Sequence, residues 1–277
     1  MADTLAVDSH ATREEAPVSS FDVPGARLDV ELSDEGGHPV VQLHGLTSSR
    51  SRDRLLDLDL GRGLSGTRLL RYDARGHGRS TGLPEPAHYR WENLADDLLR
   101  LLDHWFPGEQ VHGVGPSMGT ATLLHAAVRE PDRFSSLTLL VPPTAWATRI
   151  SKGDEYRAAA QVIEEQGLDV FLEAGRLAPV PPATAGLPET RPDVHVDVLP
   201  SLFRGAGSSD LPSPDDIARI SAPTTILAWI DDPAHPLSTA EALLDLLPSA
   251  TLQVAATRAD VETWPAILMA DVARHGR

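Results

Sequence analysis

The passage that most restricts what this 277-residue chain can become runs from Val111 to Arg129. A strand-like run, Val111–Val114, stops at Gly115-Pro116-Ser117-Met118-Gly119. A helix-compatible stretch follows at once and continues to about Arg129, where Pro131 closes it. The pattern G-x-S-x-G is weak by itself. Between a strand and a helix it acquires a mechanism, because a serine at so sharp a turn lifts its hydroxyl above the edge of a sheet. Gly115 and Gly119 are then required, since a side chain at either would collide with neighbouring backbone. The helix that follows aims its N-terminus at the same place and favours negative charge developing there. Ser117 is thus a candidate nucleophile, and presenting it this way calls for a sheet whose strands feed helices.

The flanking sequence has that alternation. Arg27–Leu32 alternates apolar and polar residues, Val40–Leu43 and Leu69–Tyr72 are short apolar runs, and Trp91–Trp105 carries leucines at helical spacing. Leu137–Val141 reads as a strand, as do Thr224–Ile230 and Leu252–Val254, with helices over Thr239–Leu247 and Asp260–Arg274. Strands alternating with helices build βαβ units, so the expected class is α/β: a mostly parallel central sheet with helices on both faces. Residues 1–19 lack periodicity and read as a loose tail. The middle breaks the rhythm, with eight prolines between residues 179 and 214 that disfavour long elements, after a helix expected over Glu155–Glu173. The organisation is therefore a core of 20–142 and 221–277 carrying an inserted lid of short helices at 143–220.

Composition excludes several classes. With 24 Lys+Arg against 40 Asp+Glu the net charge is −16, which argues against nucleic acid and anionic membrane as partners. The chain has no cysteine, so disulfides, thiolate metal sites and a Cys nucleophile are out. No apolar run reaches the length of a membrane helix, and the first 20 residues carry four acids and no signal-like stretch, so a cytoplasmic address is expected. Gly61-Arg62-Gly63-Leu64-Ser65-Gly66 fits a dinucleotide fingerprint but precedes a strand instead of opening a helix, which removes that reading. Nothing is spaced as a metal site, and none is expected.

Four stretches, taken in order, carry a resemblance: Val40–Gly45, Tyr72-Asp73-Ala74-Arg75-Gly76-His77-Gly78-Arg79-Ser80, Gly115–Gly119 and Trp229–Pro236. Together they resemble the α/β-hydrolase superfamily over the core segments, with the lid where that family carries its cap. The Asp73–Ser80 stretch is the most specific, and the resemblance makes it a structural turn in which His77 has no catalytic role. It also implies an oxyanion hole from the backbone amides of Leu46 and Met118, where losing one donor typically costs about 3–4 kcal/mol. His44 serves structure in that setting.

The acid implied by the resemblance is the Asp before Pro, Asp232, with Asp231 as its competitor. The base is the difficulty. The family order is Ser, Asp, His, with the histidine in the loop between the last strand and the last helix. Here that loop, Ala255–Val261, contains none. Only His235 and His275 follow Asp232. His275 falls about 22 Å along a helix from Asp260 and reads as an exposed terminal residue. His235 lies within about 10 Å of Asp232 along the chain and is a candidate displaced base, but a histidine that merely structures its loop is the preferred reading. Asp260, in the vacant loop, reads as a helix N-terminal acid alongside Glu262.

The expected activity is hydrolysis of a small carboxylic ester or lactone through a Ser117 acyl-enzyme, without cofactor. The vacancy motivates a second reading, a non-hydrolytic ligand binder, lyase or isomerase on the same hole. Apolar lid residues such as Val162, Leu168 and Phe171 imply a partly hydrophobic ligand.

Overall fold

Paired apolar residues decide the layering. In Val40-Val41, Leu69-Leu70, Leu139-Leu140 and Ile226-Leu227 both neighbours are buried, yet successive strand residues point to opposite faces. Such a sheet must be covered on both sides, as parallel sheets are. The structure, a computed structural model, describes residues 18–276. Its eight strands form one sheet: β1 (Val18–Val23), β2 (Ala26–Asp34), β3 (Pro39–Gln42), β4 (Arg68–Tyr72), β5 (Val111–Pro116), β6 (Phe134–Leu140), β7 (Thr224–Trp229) and β8 (Ala250–Ala255). The spatial order is β1-β2-β4-β3-β5-β6-β7-β8; β1 and β2 pair antiparallel, β2 runs antiparallel to β4, and every pairing from β4 to β8 is parallel.

The helices are α1 (Arg50–Leu55), α2 (Trp91–Trp105), α3 (Met118–Arg129), α4 (Ala147–Gln166), α5 (Leu168–Gly175), α6 (Leu199–Gly207), α7 (Pro214–Ile217), α8 (Leu237–Leu246), α9 (Arg258–Val261) and α10 (Trp264–His275). One face of the sheet packs on α2, α3 and α8 through residues such as Leu98, Leu124 and Leu243. The other packs on α10 through Trp264, Leu268 and Val272. The segment between β6 and β7 builds a third cluster around Ile163, Leu199, Leu202 and Phe203, with Leu46 of the core packed against it.

Several expectations need correction. The tail reading lies outside the described residues for 1–17, and Val18 and Ser19 already belong to β1. The long helix of the insertion starts at Ala147 instead of Glu155 and is cut by Gly167, whose φ of 91° no other residue adopts cheaply; α5 follows. α6 forms inside the proline-rich stretch because Pro200 sits in its first turn, where the missing N–H has no partner to lose. The last helix is two, α9 and α10, with Pro265 confined to the first turn of the second.

Topology places the site. From β3 the chain moves to β4 on one side and returns to β5 on the other. The carboxyl ends of β3 and β5 therefore lie at a switch point, where connections diverge and a crevice opens.

Candidate active site

Ser117 stands between β5 and α3 with φ 52° and ψ −108°, a strained conformation for a non-glycine residue. Its neighbours hold it there. Its amide donates to the Leu140 carbonyl at 2.9 Å, and the Thr120 hydroxyl reaches the carbonyls of Gly115 and Leu140. The glycine requirement is visible in distances. A Cβ on Gly115 would lie 3.0 Å from Leu43 Cβ and 3.2 Å from Gly119 backbone, and one on Gly119 would lie 3.2 Å from the His44 carbonyl oxygen.

The turn after β3 abuts the serine, since a Cβ on Gly45 would sit 3.9 Å from Ser117 Cβ. His44, buried, accepts the Ala74 amide on Nε2 at 2.9 Å, so its proton is on Nδ1, which donates to the Gly45 carbonyl at 2.8 Å. Burial lowers its pKa and keeps the ring neutral. The Ser48 amide donates to the same carbonyl. In a trans peptide the next N–H points opposite to that carbonyl, so anchoring the Gly45 oxygen orients the Leu46 amide. Among the described residues neither the Leu46 nor the Met118 amide donates to any protein group. Thr47, with φ 59°, is held by donation to its carbonyl from the Asp193 amide and the Arg52 guanidinium.

The loop after β7 brings the remaining polar groups. Asp232 to His235 is a turn with Pro233 at its second position: the His235 amide donates to the Asp232 carbonyl at 3.1 Å and the Ala234 amide to Asp232 Oδ1 at 2.9 Å. This folds the imidazole back onto the carboxylate. His235 Nδ1 donates to Asp232 Oδ2 at 2.8 Å, and Nε2 lies 2.8 Å from Ser117 Oγ. A carboxylate only accepts, so Nδ1 bears the proton and Nε2 is free to accept from the hydroxyl. Burial would raise the Asp232 pKa, but donation from His235 and Trp229 and the nearby imidazole hold it down at about 2. Asp231 points elsewhere, exposed and at φ 60°.

The structure thus brings together Ser117, Asp232 and His235, and the preference for a merely loop-structuring His235 gives way to its distance from the serine. Four further histidines among the described residues lie elsewhere. His112 is buried between the hydroxyls of Ser136 and Thr138, and burial takes its pKa down to about 3. His125 donates to the Asp210 carbonyl, and His275 ends α10. His77 donates to the Arg75 carbonyl within the Asp73–Ser80 turn. That turn is tied down by Arg50 on the Asp73 carboxylate and by a two-pronged Arg75–Asp97 pair. Gly78 is required there, because a Cβ would lie 2.4 Å from Asp73 Oδ2.

The model of the alpha/beta hydrolase fold family matches residues 38–171. The chain has the α/β-hydrolase fold. Its relatives include 3-oxoadipate enol-lactonase 2 of Acinetobacter baylyi, 29% identical over 192 residues that make up 66% of this chain and 68% of that one. Among solved structures, the enol-lactonase of Burkholderia xenovorans superposes with a TM-score of 0.72 at 20% identity, over 92% of this chain and 98% of that one. A hydrolase of Pseudomonas aeruginosa does so with a TM-score of 0.68 at 23% identity, over 94% and 98%. In this chain the loop after β8 contains no histidine. Asp260 there accepts from the Ala256 and Thr257 amides and completes a capping box with Thr257 at the start of α9.

One residue of the site escapes sequence reading. Trp229, at the end of β7, donates its indole N–H to Asp232 Oδ2 at 2.8 Å. The available signal is that a buried indole needs an acceptor, and an acid stands three residues on.

Proposed function

We propose that this protein hydrolyses a small carboxylic ester or lactone through a serine acyl-enzyme. One observation carries the reading: a single imidazole, His235, lies 2.8 Å from both the Ser117 hydroxyl and the Asp232 carboxylate. Ser117 Oγ attacks the substrate carbonyl carbon as its proton passes to His235 Nε2, and Asp232 stabilises the imidazolium. The oxyanion accepts from the amides of Leu46 and Met118. Collapse re-forms the carbonyl and breaks the bond from the acyl carbon to the ester oxygen, His235 returns the proton to that departing alkoxide, and an acyl-serine remains. Water then gives its proton to His235, attacks the acyl carbon, and releases the acid as Ser117 recovers its proton. The chemistry as written calls on no cofactor.

The substrate class draws support from the enol-lactonase relative. Segment 143–220 is proposed as the cap over this site; its apolar cluster suits a partly hydrophobic acyl or ring portion. The empty histidine position after β8 was the ground for a non-hydrolytic reading. With a base candidate in the loop after β7, that ground falls away.

A fluorophosphonate probe tests the proposal. The parent protein should be labelled at Ser117 and should hydrolyse a short-chain p-nitrophenyl ester, and Ser117→Ala should do neither. A folded parent that takes no label and turns over no ester or lactone would overturn it.

A further inference from the structure

The indole of Trp229 touches the proposed acid and has no task in the mechanism above. It is 6% exposed, fixed at the last position of β7, and it donates to the same carboxylate oxygen, Oδ2, that receives His235 Nδ1–H. The other oxygen, Oδ1, takes the Ala234 amide. The carboxylate is therefore held at both ends independently of the imidazole. The indole is itself held, stacked on Trp264 at 6.0 Å between ring centroids and 16° between planes. Trp264 is 2% exposed and opens α10, just beyond the loop where the family pattern puts the histidine.

We propose that Trp229 is a positioning residue for the acid, its N–H fixing the Asp232 carboxylate for His235, and that the region after β8 contributes Trp264 as the support for that indole in place of a base. The inference rests on the hydrolase reading. The physical need follows from the short turn. Asp232 and His235 share one short loop, so neither is braced by a separate element as it would be if they came from two. A carboxylate free to rotate would present a wandering acceptor to the imidazole, and a second donor on Oδ2 removes that freedom. The same donor spends part of the carboxylate's charge. Without it the acid pulls harder on the imidazolium, and the protonated form of the pair gains.

Trp229→Phe keeps an aromatic ring and removes the donor. Trp264→Phe disturbs the stack and leaves the donor in place. On a short-chain p-nitrophenyl ester, W229F should lower kcat about tenfold, the scale of one hydrogen bond to a charged group, with KM unchanged. The acid limb of its kcat/KM profile should move to higher pH, a shift that loosened packing alone would not produce. W264F should keep the parent's acid limb. An active parent whose W229F matches it in kcat and pH profile, or whose W264F moves the limb equally, overturns this inference and leaves the hydrolase reading intact. A parent that hydrolyses no ester and takes no fluorophosphonate label overturns the hydrolase reading and this inference with it.

Discussion

Replacing His235 by alanine removes the one imidazole that reaches Ser117 among the described residues. His44 and His112 each have both ring nitrogens engaged, and His77 and His125 donate to carbonyls away from the serine. None of these four can therefore take over. General-base assistance is typically worth about 10²–10⁴ in rate. Here the variant also forfeits the imidazolium–Asp232 pairing, so the expected fall in kcat/KM is about 10⁴. At 1.36 kcal/mol per decade that is about 5 kcal/mol of transition-state stabilisation. The fold should survive. The His235 side chain is already 20% exposed, and Asp232 keeps its Trp229 and Ala234 donors, which limits the stability loss to about 1 kcal/mol. Hydrolysis of a short-chain p-nitrophenyl ester, with circular dichroism as a folding check, measures both. The S117A/H235A double variant should be no slower than either single one, because such groups act as a unit. If H235A retains more than a tenth of parental activity, or if the double variant loses a further large factor, His235 is not the base.

Three more outcomes follow from the same geometry. Gly119→Ala should lower kcat/KM at least tenfold and stability by about 1–3 kcal/mol by thermal melting, since the new Cβ would meet the His44 carbonyl at 3.2 Å. Asp260→Ala should leave kcat/KM within twofold of the parent and slightly lower the urea midpoint, because the acid caps α9; a large kinetic loss would mean the vacant loop acts in catalysis after all. Burial raises Asp53 to about 7 against the bond from Ser48, and its Oδ2 has no hydrogen-bond partner among the described residues. The folded state then binds that proton more tightly than the unfolded chain does. Its contribution is greatest below about pH 4 and is lost as pH rises through about 7, at about 1.4 kcal/mol per unit. Urea midpoints of the parent should decline between pH 5 and 8, and Asp53→Asn should flatten that decline; equal slopes would refute the assignment.

Much of this was legible in the chain itself. α2 matches its leucine spacing end to end, and the strands at Val40, Leu69, Val111 and Thr224 lie where short apolar runs predict them. Periodicity works there because both faces of the sheet are buried and each strand must be apolar throughout. α1, whose buried members are Arg50 and Asp53, is invisible to the same reasoning: its partners are charged groups such as Asp29 and Asp73, and no apolar stripe announces it. The break at Gly167 was likewise hidden, since a glycine in a helical pattern does not reveal its φ.

The site divides in the same way. Local sequence by itself determined the serine's turn, since strand, glycines and helix all lie within a few residues and leave the backbone little choice. It also supplied an aspartate and a histidine three residues apart. Tertiary structure alone decided that these two come within hydrogen-bonding reach of each other and of the serine. Whether His235 faces Ser117 depends on β7 lying one strand away from β5, across β6, and on a proline turn folding the ring toward the sheet. Sequence separation of 118 residues carries no information about such a distance, because the hydrogen-bonded order of the strands, and not the order of the chain, sets which loop ends meet.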